Sequence, residues 1–215
     1  MSSSLPVRIP FDHGTIDGLL GVPRSARGLV LFAHGSGSSR LSPRNNFVAG
    51  VLRKAGLGTL LMDLLTGDEE DLPEHRFDIR LLTERLMAAG AWVKKNEETE
   101  SLPLGLFGAS TGSAAALEAA SLLGPDVFAV VSRGGRPDMA SLRALAGVMA
   151  PTLFLVGEFD REVIALNREA FGPLRCAKKM VIVPGATHLF EEPGTLEEVG
   201  RLATDWFLLH LPPHA

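Results

Sequence analysis

Ser110 stands in Gly108-Ala109-Ser110-Thr111-Gly112, after an apolar run from Leu102 to Phe107 and before an alanine-rich stretch that continues to Ala120. An apolar run, G-x-S-x-G and a helix-forming run in direct succession describe a strand, a sharp turn and a helix, with the serine hydroxyl pushed out above a sheet as a nucleophile. A side chain at Gly108 or Gly112 would collide across so tight a turn, and Ser110 must hold a sparsely populated backbone conformation that its surroundings impose. Chance alone gives the five-residue pattern roughly 0.15 times in a chain of this composition, so the flanks carry the reading. The bland alternative is a Gly-Ser turn that merely enters a helix.

A serine hydroxyl is a poor nucleophile at neutral pH and needs a base, itself oriented by a third group. Of six histidines, His188 follows the last apolar run, Met180 to Val183, in a loop of small residues, Gly185-Ala186-Thr187-His188. A loop histidine that only bonds backbone is the alternative. His34 directly ends a strand and enters a glycine loop, so it reads as a brace for that loop; His13, His75, His210 and His214 fall in turn, helix-start or tail positions. For the acid, Leu153 to Val156 exits into Gly157-Glu158-Phe159-Asp160. Asp160 there can also be a plain helix N-cap, and Glu158 is the second candidate. Serine, then aspartate, then histidine is the chain order this strand-turn-helix scaffold uses.

Attack on a carbonyl carbon makes an oxyanion that two amides must meet. One is expected from Thr111, directly after the serine. The other is expected from Ser36, in the loop His34-Gly35-Ser36-Gly37-Ser38-Ser39. That loop lacks the Lys-Ser/Thr ending of a phosphate-cradling glycine loop.

The elements that must position these residues alternate. Val7–Pro10 and Thr15–Val22 read as an antiparallel hairpin at a sheet edge. Gly28–Ala33, Leu57–Met62, the run before Ser110, Val127–Ser132, Thr152–Val156 and Met180–Val183 read as strands. Helices are expected from Ser42-Pro43 to about Ala55, from about His75 to Glu97, after Ser110, up to about Ala146, over Arg161–Phe171 and over Leu196–Leu209, with Asp68–Glu74 a solvated acidic loop and Pro212–Ala215 a frayed tail. On the long helix Phe77, Leu81, Leu82, Met87, Ala88 and Trp92 form the core face, leaving Asp78, Arg85 and Lys95 to the other side. Strands alternating with helices mean a mostly parallel sheet covered on both faces, whose ligands collect at the carboxyl ends of the strands. Ser36, Asp63, Ser110, Arg133, Asp160 and His188 all fall there.

Composition fits this frame. Residues 1–215 read as one α/β domain, with 46% hydrophobic and 21% charged residues and no apolar run long enough to span a bilayer. A net charge of -4 without a basic, aromatic-laced cluster argues against nucleic-acid binding. The single Cys176 excludes an intrachain disulfide and suits a reducing compartment, and MSSSLPVRIP lacks the apolar core of a secretory signal, so a cytoplasmic location is expected. No metal-ligand spacing occurs, and neither metal nor cofactor is expected.

Taken together, GASTG, HGSGSS, GEFD and GATHLF resemble the corresponding motifs of α/β-hydrolases, and the small size is most similar to the dienelactone hydrolase group. The resemblance covers nearly the whole chain. It implies an eight-stranded sheet, Ser110, Asp160 and His188 as the triad, and action on carboxylic esters or lactones. Members acting on dienelactone generally use cysteine at the elbow, so Ser110 favours ordinary esters. Only 18 residues separate Ser132 from Pro151, too few for a helical cap domain. Two other readings stay open: a binding or scaffold protein on the same fold, and an amidase or peptidase using the same triad. Arg133 and Arg136 leave a strand on the rim that carries Ser110, and Arg40 follows the oxyanion loop; these three guanidinium groups are candidate binders of a carboxylate on the substrate. Solvation, or pairing with acids such as Asp138, is their bland alternative. A small-molecule ester or lactone is the expected partner, and the sequence does not specify an oligomeric state.

Overall fold

A computed structural model describes residues 4–213. The expectation for a frayed tail therefore lies, at His214 and Ala215, outside the described residues. Eight strands form one sheet in the order β1-β2-β4-β3-β5-β6-β7-β8: β1 (Leu5–Phe11), β2 (Gly14–Gly21), β3 (Leu29–Ala33), β4 (Gly58–Met62), β5 (Leu104–Ala109), β6 (Val127–Arg133), β7 (Thr152–Gly157) and β8 (Lys178–Val183). Only β2 runs against the rest, pairing antiparallel with both β1 and β4. The hairpin therefore adds β1 alone as the outer edge, and β2 is interior, locked by the Gly18–Met62 register.

β3, β4, β5, β6 and β7 are buried along their full length, which is why they read as continuous apolar runs rather than alternating ones. One face is covered by α1 (Pro43–Lys54) and α7 (Thr195–His210), with Val48, Leu52, Val199 and Phe207 in its core. The other is covered by α3 (Ile79–Val93), α4 (Thr111–Leu123), α5 (Leu142–Gly147) and α6 (Arg161–Phe171), packed through Leu86, Ala89, Ala115, Ala119, Leu145 and Ala170. From β3 the chain crosses to β4 on one side and later returns to β5 on the other. The gap between the carboxyl ends of β3 and β5 is thus a topological switch point, where α/β sheets leave a crevice. Phe32 and Phe107 stack beneath it with centroids 4.7 Å apart.

Two expectations about the region after β4 are corrected. Part of the expected acidic loop is a short helix, α2 (Gly67–Glu70), closed by a capping box in which the Glu69 amide donates to Thr66 Oγ1 and the Thr66 amide to Glu69 Oε2 (2.8 Å). The long helix begins at Ile79, not His75: Pro73–Phe77 is a 3-10 turn, and Asp78 caps α3 by accepting from the Leu81 amide at 3.0 Å. Phe77 consequently lies outside the helix, exposed, while Arg85 is buried, with its guanidinium 3.8 Å from the Phe11 ring and 2.5 Å from Glu69 Oε1. Helical spacing alone put these two residues on the wrong sides, because it could not supply the Asp78 cap or the Glu69 partner.

Between β6 and β7 stand only a 3-10 turn, Pro137–Met139, and α5, so no cap domain rises there. Gly112, in the first turn of α4, faces the end of β3 so closely that a Cβ would overlap the carbonyl oxygens of Ala33 and His34. Gly112→Ala is expected to lower unfolding free energy by about 3 kcal/mol, read from urea denaturation. A loss under about 0.5 kcal/mol, the scatter of ordinary surface changes, would mean that the elbow is not packed this tightly.

Candidate active site

Ser110 sits between β5 and α4 with φ 50° and ψ −124°, one of two positive-φ residues other than glycine among the described residues. Such a conformation is held, not chosen. Its amide donates to the Arg133 carbonyl (3.3 Å), and its carbonyl accepts from the amides of Ser113 and Arg136 (both 3.0 Å). Below it, Ser132 Oγ donates to Ser113 Oγ (3.0 Å), which donates to the Gly108 carbonyl (3.0 Å). A Cβ on Gly108 would lie 2.5 Å from Ser113 Cα, so the two glycines of the motif let the helix approach the sheet.

The structure brings Asp160 and His188 together. His188 Nδ1 and Asp160 Oδ2 are 2.6 Å apart, with the Asp160 side chain largely buried and the His188 ring part-exposed. The imidazole N–H donates to the carboxylate, which leaves Nε2 with its lone pair free to accept a proton. Asp160 stands at the N-cap position of α6, yet its side chain makes no capping bond. Its lone pairs are committed to the histidine instead. Glu158 is exposed, and its Oε2 accepts from the Gly185 amide at 2.8 Å, so it supports the His188 loop from outside.

Ser110 and His188 flank one stretch of backbone, Arg133-Gly134. Gly134 has φ +50°, and a Cβ there would come within 3.1 Å of the His188 carbonyl and 3.6 Å of its Cε1. On the other side of the serine, a Cβ on Gly35 would stand 2.9 Å from Ser110 Cβ and 3.6 Å from Oγ, which brings the backbone of the His34–Ser39 loop alongside the Ser110 hydroxyl. The amides of Ser36 and Thr111 donate to no protein acceptor among the described residues. Thr111 opens α4, where the helix dipole adds partial positive charge. Beside this loop opens a cleft of about 540 Å³ walled by Ser38, Ser39, Arg44, Asp63, Leu65 and Glu70. A second cleft, about 760 Å³, between the hairpin and α3 holds none of these residues. Among the described residues no three His, Cys, Asp or Glu side chains are grouped as metal ligands.

The loop's brace is His34. Its Nδ1–H donates to the Gly35 carbonyl (2.9 Å), and its Nε2 accepts from the Leu64 amide (3.0 Å), a tautomer fixed by those partners. Burial pushes its pKa below the ordinary histidine value. Of the three candidate arginines, Arg40 pairs with Asp63 and, at 3.3 Å, with Asp17; Arg136 forks onto Asp138 at 2.9 and 2.8 Å. Arg133 is instead buried on the α1 side of the sheet, 5.7 Å from the Phe190 ring, with no carboxylate partner. Sequence reasoning missed its burial, although strand alternation puts residues 129, 131 and 133 on one face. It also missed Phe190, whose φ of 56° in a fully buried phenylalanine has no local signal.

Comparison with solved structures places this fold beside dienelactone hydrolase from Anabaena variabilis, at 51% identity and a TM-score of 0.94, covering 98% of this chain and 99% of that one. Est1E from Butyrivibrio proteoclasticus shares the fold at 16% identity and a TM-score of 0.80, over 97% and 99% of the two chains. Among curated proteins, a Mycobacterium tuberculosis protein named "Putative phosphoribosyl transferase" is 54% identical over 196 residues, which is 91% of this chain but 44% of the relative. The chain thus spans less than half the length of that relative. No protein-family model matches.

Because His34 is held neutral, it should create a pH dependence of stability. The unfolded chain binds its proton below about pH 6.5, and the folded state resists doing so. The contribution is therefore intact above that pH and lost as pH falls toward the lowered folded value. The stability difference between the parent and His34→Gln, from urea midpoints, is expected to shrink between pH 7.5 and 5; a constant difference would show that His34 protonates as easily in the fold as out of it.

Proposed function

This chain belongs to the dienelactone hydrolase group of the α/β-hydrolases, and we propose that it is a serine hydrolase cleaving small carboxylic esters or lactones through an acyl-enzyme. The observation that carries the proposal is the Asp160–His188 hydrogen bond on the rim where Ser110 is held in its strained turn. In the proposed reaction Ser110 Oγ attacks the ester carbonyl carbon while His188 Nε2 takes the hydroxyl proton. Asp160 steadies the imidazolium that results. The carbonyl oxygen becomes an oxyanion met by the Ser36 and Thr111 amides. On collapse, His188 returns the proton to the departing alkoxide, leaving an ester on Ser110. A water attacks that ester by the same route, with His188 again taking and returning the proton, and the acid product leaves.

Ester or lactone chemistry is supported by the similarity to dienelactone hydrolase from Anabaena variabilis, 51% identical to this chain, and the lack of a cap domain between β6 and β7 suits a small, open substrate site. An amidase or peptidase would use the same groups, and a binding protein would need none of them ordered. Phosphoribosyl transfer, the name borne by the mycobacterial relative, is not proposed for this chain: the matched part carries the serine site, and more than half of that relative lies outside the match. The proposed partner remains a small molecule, in a reducing compartment compatible with the free Cys176.

On p-nitrophenyl esters of increasing chain length, the parent is expected to turn over short acyl chains. Ser110→Ala is expected to lower kcat by about six orders of magnitude and Asp160→Asn by about four, with urea midpoints for both close to the parent. Activity of Ser110→Ala within tenfold of the parent would end the nucleophile assignment. A damaging Glu158→Gln beside a mild Asp160→Asn would exchange the two acids. Turnover of matched amides but not esters would replace the esterase reading by the amidase one.

A further inference from the structure

The groove between the β1–β2 hairpin and α3 holds no residue of the proposed reaction. Its volume, about 760 Å³, is in the range of small-molecule sites, which are mostly apolar with a few placed polar groups. Phe11, Ile79, Met87, Trp92 and Leu122 stand in its wall. Phe11, Ile79, Met87 and Trp92 are only half-buried and Leu122 is exposed, so the groove presents water with apolar surface that a ligand could cover.

Arg85 gives this groove its polar chemistry. It belongs to the wall, yet its side chain is 9% exposed, and a guanidinium so placed needs acceptors for its fixed donors. Its charge is met: Nη2 lies 2.5 Å from Glu69 Oε1, and the guanidinium carbon 3.8 Å from the centre of the Phe11 ring. Its other donors are not. Neither Nε nor Nη1 has an acceptor among the described residues, and Nη1, unlike Nε, is not sealed from solvent. Around it the wall carries three carboxylates, Asp12, Glu84 and Glu118, against three fixed cations, Arg80, Arg85 and Lys95. That balance draws in neither an anion nor a cation.

We propose that this groove binds an uncharged, mainly apolar molecule bearing a carbonyl group, with its body against Phe11, Met87 and Trp92 and its oxygen accepting from Arg85 Nη1. A neutral acceptor suffices because Glu69 already meets the positive charge. An anion at Nη1 would crowd the Glu69 carboxylate on the same guanidinium, and a cation would be repelled by Arg85 itself. The site lies on the α3 side of the sheet and does not rest on the hydrolase reading.

NMR of protein carrying carbon-13 in its methionine methyl groups reads the groove directly, because Met87 lines it while Met62 is sealed in the core. The probes are 1-acetonaphthone and 1-ethylnaphthalene, similar in size, of which only the first has a carbonyl. The ketone is expected to shift the Met87 signal, assigned by its loss in Met87→Leu, saturably and at one site, to leave Met62 unmoved, and to bind about tenfold more tightly than the hydrocarbon. Arg85→Lys, which keeps a charge for Glu69 but has no second fork nitrogen, is expected to abolish that preference and leave hydrocarbon binding unchanged. Ala91→Phe, at an exposed position of the wall, is expected to fill the groove and weaken both probes about tenfold or more, and Arg201→Gln, on α7, to change neither. Should Arg85→Lys lose its fold by circular dichroism, the parent's preference for the ketone and the effect of Ala91→Phe still decide the site. No saturable shift at Met87, equal affinity for the two probes, or binding that Ala91→Phe leaves intact overturns it. So does a parent dimer, seen by ultracentrifugation, that Ala91→Phe breaks, since a second copy of the chain then covers the groove.

Discussion

The backbone of Ser110 is the constraint that the surrounding structure is arranged to hold. A serine at φ 50° and ψ −124° lies where L-residues rarely go, at a cost of order 1–3 kcal/mol, and it stays there because its neighbours leave no alternative. Its amide and carbonyl are tied to the loop after β6. The helix that follows is drawn against the ends of β3 and β5 by residues with no side chain or only a methyl group, Gly112, Ala114, Ala115 and Ala116. Phe32 and Phe107 fill the layer below. The outcome is a hydroxyl at the rim of a sheet whose other loops are held with equal firmness: His34 bonds both its own loop and the Leu64 amide, and Gly134 lets the chain pass under His188.

Charge is managed in two ways around this rim. Where a guanidinium stands near solvent it has an acid, as Arg40 has Asp63 and Arg136 has Asp138, and such partly exposed pairs contribute modestly to stability. Their use is geometric, because they fix the loops after β3, β4 and β6. Arg133 differs in being sealed beneath Phe190 without an acid. Its uncompensated charge lies on the α1 face of the sheet, opposite the Ser113–Ser132 bonds that support the elbow from the α4 face. A single strand end thus serves Ser110 through its backbone and the α1 side through its side chain.

Much of this was legible in the sequence, for identifiable reasons. Strands buried on both faces are unbroken apolar runs, so β3 to β7 and their order with the helices could be read directly, and chemistry-bearing residues after those runs had to share one rim. Ser42 before Pro43 marked the start of α1, and it does cap the Asn45 amide. What could not be read depends on partners distant in sequence. The capping box at Thr66 was overlooked in an acidic stretch that resembles a loop, and Arg85 turns inward only because Phe11 and Glu69 receive it. The three arginines looked alike on a rim, yet Asp63, Asp138 and Phe190 sort them into two paired groups and one buried one. The φ of 56° at Phe190, whose ring lies beside Gly134, has no signal in the local sequence.

Hydrolysis by this chain, as proposed, turns on Ser110 being the nucleophile that the Asp160–His188 pair activates. An alkyl fluorophosphonate tests this directly, since it is attacked only by an activated hydroxyl and loses fluoride to leave a stable phosphonyl ester. Intact-protein mass spectrometry with peptide mapping is predicted to find one adduct per chain, on Ser110, forming far more slowly in His188→Ala. An unlabelled parent, or an adduct on any residue other than Ser110, would contradict the account.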